Sequence, residues 1–598
     1  MTQLPTRDQI PTQETWDLSL LFSDQAEFEA AVESLKQKVE QFHRQYKDQL
    51  KDIKMIVQSL IEYEKIERSI NHIRMYASLG YEVDKTNSQY EENAVRLGFL
   101  LGKLSQGLSF YHSELSAIST ELLEQVKSTP EGAPYQYFID EIIRYKDVRL
   151  DPAVEDALSY LSGNLYHSYA LYGATKFQDM TFDNFEIDGK VYMNSFNAFE
   201  GDYEGHPDFK IRHASWDAFH QSLARYQHTL ASNYINRVQT EKKMATLRGF
   251  DSVIDYLLFD QKVTRDSYNQ IIDTLTKDFA PVMQRYATLL AKEHGLEKVS
   301  LADIKMPFTK GESNHITIEQ SEQMLLDAFQ VMGDEYLAIF RQAFAERWID
   351  YPMNQTKSTG GFCSTSYQGP SYILLNWTGL LSEVLVLAHE LGHAGHFVLQ
   401  YRDQLAITPE PSMYFVEAPS TCNEVIMCQY LLAQDIDDQA KRSLITEFIS
   451  RTYFHNMVTH LLEADFQCKV YQAVDREDVL NAAVLNQFFK ETLENFWQGA
   501  VEINPGAELT WMRQPHYHMG LYPYTYSAGL TIGTQIGQRI AKGDTEAIAQ
   551  WLDVLKAGGT LSPLELAQAA GVDMSTPRAL HQAIAYVDSL LDQVESLA

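Results

Sequence analysis

Cysteine is scarce in this chain, which has four in 598 residues. No two of them form a C-x-x-C pair, so the sequence offers no cysteine-type zinc site. So few cysteines do not make a disulfide framework, and their scarcity is typical of a reducing compartment. We therefore expect a cytoplasmic protein. The four are Cys363, Cys422, Cys428 and Cys468.

Basic residues are also few. The chain has 49 Lys and Arg against 81 Asp and Glu, which gives a formal net charge of −32. Phosphate groups of nucleic acids and anionic lipid headgroups are bound by basic surfaces. We therefore expect neither a nucleic-acid partner nor docking on a membrane.

The sequence also lacks long apolar runs. Its most apolar stretch, residues 371–388, does not offer the roughly 18 continuous apolar residues of a transmembrane span. Residues 1–17 contain no apolar segment, so we expect no signal peptide. The polar residues that interrupt the stretch are Asn376, Thr378, Ser382 and Glu383.

Apolar residues suffice for a large core, since 45% of the chain is hydrophobic and 12% aromatic. Phe28, Val32, Leu35, Val39 and Phe42 are spaced 4, 3, 4 and 3 residues apart, as on helices packed side by side. We predict an antiparallel helical hairpin rather than a dimerising coiled coil, because the heptads do not persist. A turn cluster at 128–134 precedes a second helical region at 135–163.

Strand signals are few and short. Residues 185–193 predict a β-hairpin with Asp188-Gly189 at the turn. Residues 350–370 are rich in Gly, Ser, Thr and Pro, and 372–375 (YILL) predict a strand. The segment 358–372 is equally compatible with a surface loop and with a strand edge that pairs with an extended peptide. We therefore predict a mainly α fold with a small β-sheet near the middle of the chain.

The strongest chemical signal is the H-E-x-x-H motif of His389, Glu390 and His393. Residues four apart share one helix face, so both histidines can bind one zinc ion. Glu390 lies about 100° around the helix and is placed to act as general base on a zinc-bound water. The alternative is a pair of hydrogen-bonded histidines on a core helix.

A third ligand is expected in residues 414–424 (YFVEAPSTCNE). Glu417 follows His389 by 28 residues, and Glu424 lies two helical turns further on nearly the same face. Pro419 suits the first turn of a helix. One carboxylate can bind the metal while the other orients a histidine, and spacing alone does not assign the two roles.

The run HELGHAGH followed by FVEAPS resembles the thimet-oligopeptidase-like zinc metallopeptidases, and within them the oligoendopeptidase F branch. Matches to that branch extend over nearly the whole chain. They include residues 16–18 (WDL), residues 212–214, Gly558-Gly559 and residues 571–574 (GVDM).

The resemblance implies two helical lobes around a deep channel that admits oligopeptides and excludes folded proteins. It assigns Glu417 as the third zinc ligand and Glu424 as its supporting acid. It also matches His396, seven residues after His389, to a family histidine that we expect beside the ligands as a substrate-side or structural group. We expect a helical hairpin region at 1–112, an oligopeptidase F N-terminal-like helical domain with a short hairpin at 113–200, and the catalytic domain at 201–590.

Residues 516–526 (HYHMGLYPYTY) form a second cluster of candidates. Phenol and imidazole donors can stabilise the negative charge that develops on a carbonyl oxygen when an amide is attacked. The resemblance implies a loop rich in His and Tyr with this role, although the spacing here differs from the thimet type. The alternative is a buried cluster of hydrogen-bonded tyrosines. Our candidates are His516, Tyr522, Tyr524 and Tyr526.

Together these signals predict a zinc endopeptidase that hydrolyses internal bonds of short peptides and binds one zinc ion per chain. A zinc carboxypeptidase on a related helical scaffold and a non-enzymatic helical scaffold with a relict motif remain as alternatives. The sequence does not indicate the oligomeric state.

Overall fold

Helices dominate the computed structural model, which describes residues 4–308 and 315–597. The prediction of a mainly α fold is confirmed. None of the helices in these two ranges is long and apolar enough to cross a membrane. The α-helices are α1 (Gln25–Tyr46), α2 (Ile53–Val83), α3 (Ser88–Ala117), α4 (Thr120–Lys127), α5 (Gln136–Tyr145), α6 (Pro152–Leu165), α7 (Ser168–Ala174), α8 (Phe209–Leu223), α9 (Gln227–Leu247), α10 (Val253–Gln261), α11 (Arg265–Thr274), α12 (Ala280–His294), α13 (Ile318–Ala328), α14 (Asp334–Ala345), α15 (Leu381–Asp403), α16 (Met413–Leu432), α17 (Asp438–Phe448), α18 (His460–Asp475), α19 (Ala482–Trp497), α20 (Pro523–Ala541), α21 (Thr545–Ala557), α22 (Pro563–Ala569) and α23 (Arg578–Ser596).

Three long helices, α1 to α3, pack against one another at the N-terminal end. The prediction of a two-helix hairpin is therefore incomplete. The structure adds a third helix, because α3 packs against both α1 and α2. Asp24, Asp52 and Asn87 cap the three helices, each accepting a hydrogen bond from a backbone N–H of the first turn. The apolar seam of α1 is buried in a cluster that runs from Phe28 to Ile142.

A second and larger core cluster runs from Tyr172 to Val594. The two largest clusters are thus an N-terminal core and a main core, and Ile407 from the main part of the chain joins the N-terminal one. The division into regions 1–112, 113–200 and 201–590 stays a prediction.

The strands form two small sheets. β1 (Phe185–Ile187) and β2 (Lys190–Tyr192) form the predicted hairpin, with Asp188 and Gly189 both at positive φ, as a tight two-residue turn requires. β3 (Ile349–Pro352), β4 (Phe362–Thr365) and β5 (Ser371–Trp377) form a sheet of order β3-β5-β4. β5 pairs antiparallel with the edge strand β4 and leads directly into α15, so this sheet lies beside the H-E-x-x-H helix.

Helices α15, α16 and α20 approach closely at the centre of the main core. A Cβ added at Gly392 of α15 would lie 2.6 Å from the Cα of Ser420, and one at Gly529 of α20 would lie 2.7 Å from the Cβ of Glu417. Glycine at these positions lets the helix backbones come together. The placement of Pro419 in a first turn is wrong, because α16 already begins at Met413 and the proline lies inside it.

Candidate metal centre

The two histidines of the motif lie on one face of α15 and point at the same carboxylate of α16. The Nε2 atoms of His389 and His393 each lie 3.4 Å from Oε2 of Glu417. One donor atom from each of the three residues lies within 4.8 Å of the other two. The structure therefore brings together the three predicted ligands from two neighbouring helices.

These separations suit a tetrahedral zinc ion. Zinc binds imidazole nitrogen and carboxylate oxygen at about 2.0–2.2 Å, which places two ligand atoms of one tetrahedron about 3.3–3.5 Å apart. The observed 3.4 Å is longer than an ordinary N–H···O hydrogen bond. Two imidazoles and one carboxylate are also a donor set that zinc uses when a position stays open for water. The residues present thus fit the ion that the motif implies.

Glu424 supports His389 from the other side of the ring. Its Oε1 atom lies 2.7 Å from Nδ1 of His389, and its other oxygen accepts a hydrogen bond from the hydroxyl of Thr452. Glu417 is held by Ser420, whose Oγ donates to Oε2 at 3.0 Å. In this geometry Glu417 faces both Nε2 atoms, and Glu424 orients one of the two imidazoles.

The charges of the site are strongly coupled. Burial raises the pKa of Glu417, but His393 and His389 lower it more, so its pKa stands well below the ordinary value. Burial lowers the pKa of His389, but the neighbouring carboxylates of Glu417 and Glu424 raise it well above the ordinary value. In the metal-free protein the site therefore holds a proton on His389, in the place where a metal cation would supply the positive charge.

Glu390 is buried next to the start of strand β4. A Cβ added at Gly361 would lie 3.4 Å from Oε1 of Glu390. Burial raises the pKa of Glu390, and the nearby histidines only partly offset this effect. Burial, followed by the charge of Glu390, raises the pKa of Cys363 to about 12, so this thiol is protonated and is not a nucleophile.

Two of the candidate tyrosines lie beside the three candidate zinc ligands, His389, His393 and Glu417. The hydroxyl of Tyr522 donates to Oε1 of Glu417 at 3.3 Å, and the hydroxyl of Tyr526 donates to that of Tyr522 at 3.2 Å. The ring of His516 lies 5.4 Å from the ring of Tyr522. Burial is the largest cause that raises the pKa of both phenols, so both hydroxyls stay protonated and can donate hydrogen bonds.

Tyr524 lies elsewhere. Its ring packs edge-on against Tyr268 and Tyr414, and its hydroxyl donates to Oε1 of Gln261. It is almost fully buried and makes no hydrogen bond to the ligand group within the described ranges. The structure thus gives no support to its candidate role, because residues 522 and 524 point to different sides at the start of α20. Tyr524 instead matches the alternative of a buried tyrosine cluster.

His396 is fully buried and stacks on Phe397 with ring centroids 5.1 Å apart. Neither of its ring nitrogens has a hydrogen-bond partner among the residues that the structure describes. Burial lowers the pKa of His396 to about 3, so its ring is neutral. It makes no bond to His389 or Glu417, and its expected place beside the ligands as a substrate-side or structural group stays a prediction.

Sequence reasoning missed a set of polar residues between α17 and α19, of which Thr452, His460 and Glu463 are buried. Thr452 bonds Glu424, whereas His455, His460 and Glu463 form a cluster with His516. The segments Ile449–Tyr453 and His455–Thr459 are π-helical turns, a feature that is frequent at functional sites. Only the spacing of His460 and Glu463, three residues apart on one helix face, signals this cluster in the sequence.

The chain also matches two models of known protein families. A model described as peptidase family M3 matches residues 203–586, and one described as oligopeptidase F matches residues 114–182. The chain is 24% identical over 602 residues to oligopeptidase PepF of Bacillus subtilis, covering 100% of this chain and 89% of the relative. It is 25% identical over 601 residues to an oligoendopeptidase F homolog of Lactococcus lactis, covering 99% and 98%.

Solved structures share the fold. Oligoendopeptidase F from Enterococcus faecium matches with a TM-score of 0.75 and 20% identity, covering 96% of this chain and 99% of that one. A solved chain from Chlamydophila abortus matches with a TM-score of 0.86 and 22% identity over 100% of both chains. Since the M3 model spans more than half of the sequence, this chain belongs to peptidase family M3.

Proposed function

We propose that this chain is a zinc-dependent endopeptidase that hydrolyses internal peptide bonds of short oligopeptides. The observation that carries the proposal is that the donor atoms of His389, His393 and Glu417 lie together, with both Nε2 atoms 3.4 Å from Oε2 of Glu417, as two ligands of one ion would. The buried acid Glu390 follows His389 on the same helix. Membership of a peptidase family supports the same reaction class.

Zinc, when bound to these three residues, supplies Lewis acidity that lowers the pKa of water to about 7 and polarises a carbonyl. Glu390 takes the proton from the attacking water and delivers it to the leaving amine. Its burial suits this exchange, because a raised pKa lets the carboxyl group hold the proton between the two steps.

The tyrosine pair acts on the carbonyl oxygen, and His516, whose ring packs beside that of Tyr522, supports the pair. Tyr522 and Tyr526 are neutral phenols linked to each other and to Glu417, so their hydroxyls are oriented before the substrate binds. A preorganised donor of this kind stabilises a developing oxyanion by about 3–4 kcal/mol.

Strand β4 supports binding of an extended peptide. It forms one edge of its sheet and begins next to Gly361, which lies beside Glu390. A peptide paired along this edge would pass the general base without either terminus being held. This favours internal cleavage over removal of C-terminal residues. In this proposal the site lies in a channel between two helical lobes, as the family resemblance implies.

The Glu390→Gln variant tests the proposal, with Glu383→Gln as the control. Glu383 lies on the same helix and accepts hydrogen bonds from the backbone N–H groups of Thr378 and Gly379. We expect Glu390→Gln to retain one zinc ion per chain by elemental analysis and to lose about 10²–10⁴-fold in turnover. The control should retain both properties.

Peptides of graded length with blocked termini, analysed by mass spectrometry with and without chelator, distinguish the alternatives. Internal cleavage that the chelator abolishes supports the endopeptidase. Cleavage of peptides with a free C-terminus only would establish the carboxypeptidase, and absence of both zinc and cleavage would establish the relict scaffold. Full turnover in Glu390→Gln would remove that residue from its role.

A further inference from the structure

Glu463 is a buried carboxylate that contacts two imidazoles beside the tyrosine pair. Its Oε2 atom lies 2.8 Å from Nδ1 of His460 and 3.2 Å from Nδ1 of His516. The Nε2 atom of His460 lies 3.1 Å from Nε2 of His455. The side chain of Glu463 is 2% exposed, and its Oε1 atom has no hydrogen-bond partner in the part of the chain that the structure describes.

The distances distinguish this cluster from the metal centre. At the metal centre the nitrogen–oxygen separations are both 3.4 Å, as expected for two ligands of one ion. Around Glu463 the separations are 2.8 and 3.2 Å, which are hydrogen-bond lengths. This second group is therefore arranged as a carboxylate that accepts protons from two imidazoles, although its residue types would also suit a cation.

The hydrogen bonds determine which nitrogen carries the proton. An ionised carboxylate only accepts hydrogen bonds, so Nδ1 of both His460 and His516 must carry hydrogen. Burial raises the pKa of Glu463, but His460 and His516 lower it more, so the carboxylate stays ionised. Nε2 of His516 is then left to accept a hydrogen bond, from a tyrosine hydroxyl or from a substrate N–H.

The cluster also touches the tyrosines directly. The ring of His460 stacks on the ring of Tyr526 with centroids 4.0 Å apart and an interplanar angle of 16°. The ring of His516 lies 5.7 Å from that of Tyr526. Glu463 thus contacts both imidazoles that pack against the hydroxyl-bearing rings.

We propose that Glu463 is a positioning residue that fixes His516 in its Nδ1–H tautomer and holds His460 against Tyr526. This inference rests on the proposed function, because it assigns Glu463 to the support of the groups that act on the carbonyl oxygen. Loss of its charge weakens the acceptor that selects the tautomer, so that the rings can reorient.

The first test compares kinetics of Glu463→Gln, His516→Gln and the double variant. We expect Glu463→Gln to lower kcat about 10–100-fold with little change in KM and with the zinc content of the wild type. Because Glu463 acts through His516, its substitution should add little to the loss caused by His516→Gln. Additive losses would overturn the proposal. A second equivalent of zinc that disappears in Glu463→Gln would overturn it too, by showing an ion site.

The second test does not depend on activity. Imidazole ¹⁵N spectra of the purified protein, with the His516 signals assigned from His516→Gln, report which nitrogen is protonated. We expect the Nδ1–H tautomer in the wild type and its loss in Glu463→Gln; an unchanged tautomer would refute the inference. If the wild type shows the Nδ1–H tautomer and Glu463→Gln loses it, but the wild type cleaves no peptide, only the proposed function would be rejected.

Glu241→Gln is the matched control for losing a buried carboxylate. Glu241 is likewise buried, 1% exposed, and accepts hydrogen bonds from Tyr471 and Arg237. Its substitution should lower the unfolding temperature without changing the His516 spectrum or kcat. If Glu241→Gln reproduced both effects, the role of Glu463 would be merely structural and the inference would fail.

Discussion

Nδ1 of His389 lies 2.7 Å from Oε1 of Glu424, whereas Nε2 of the same ring faces Glu417. An ionised Glu424 accepts a hydrogen bond from Nδ1–H and so leaves Nε2 with a free lone pair for a metal ion. The hydroxyl of Thr452 bonds the other oxygen of Glu424. The carboxylate is thereby held from both ends, and the imidazole takes one orientation.

Replacing Glu424 by glutamine should weaken zinc binding about 10–100-fold, because the amide orients the imidazole less strongly than the carboxylate does. Competition with a chelator measures the affinity. Thr452→Val, which removes only the donor to Glu424, serves as a milder comparison and should cause a smaller loss. Unchanged affinity in Glu424→Gln would show that this hydrogen bond does not support the metal site.

Loss of the hydroxyl should lower kcat at Tyr522 and Tyr526 but not at Tyr524. Tyr522→Phe and Tyr526→Phe each remove a hydroxyl linked to Glu417, so kcat should fall about 10²–10³-fold for a lost oxyanion donor. Tyr524→Phe removes a hydroxyl that bonds Gln261 and should leave kcat near the wild-type value. Steady-state kinetics on one peptide measures all three, and equal losses would contradict the assignment.

The metal-free protein should lose stability as the pH rises. The folded pKa of His389 is well above its ordinary value of 6.5, because the neighbouring carboxylates of Glu417 and Glu424 outweigh its burial. Its contribution is fully present below pH 6.5 and is lost as the pH rises through the folded pKa. Apparent zinc affinity should rise over the same range, since the ion competes with the proton.

Thermal unfolding of chelator-treated protein across this pH range measures the effect. His389→Gln is the control, because without the imidazole this part of the pH dependence should vanish. A metal-free wild type whose unfolding temperature is the same at pH 6.5 and above it would contradict the prediction.

Two helix glycines should respond oppositely to alanine. A Cβ at Gly533 of α20 would lie 2.7 Å from the backbone nitrogen of Cys422, so Gly533→Ala should lower the free energy of unfolding by about 1–3 kcal/mol. Gly102 of α3 has nothing within 4 Å of its added Cβ, so Gly102→Ala should raise that free energy by up to about 1 kcal/mol. Denaturant unfolding compares the two, and a neutral Gly533→Ala would show that the helices can separate there.

Local periodicity in the amino-acid sequence accounts for much of this site. Residues four apart on a helix share a face, so His389 and His393 are adjacent wherever that helix lies. The turn at Asp188-Gly189 follows equally from local backbone preference, because both residues tolerate positive φ. Motif order, through HELGHAGH and FVEAPS, was also enough to recognise the family that the M3 match confirms.

Contacts between segments that lie far apart in the sequence could not be predicted from local periodicity. The opposite placements of Tyr522 and Tyr524 and the position of Pro419 inside α16 depend on how helices pack and where they begin. The link from Glu463 to His516 joins residues 53 positions apart. Such contacts arise from the packing of α16, α18 and α20 in three dimensions, and no periodicity within one helix encodes them.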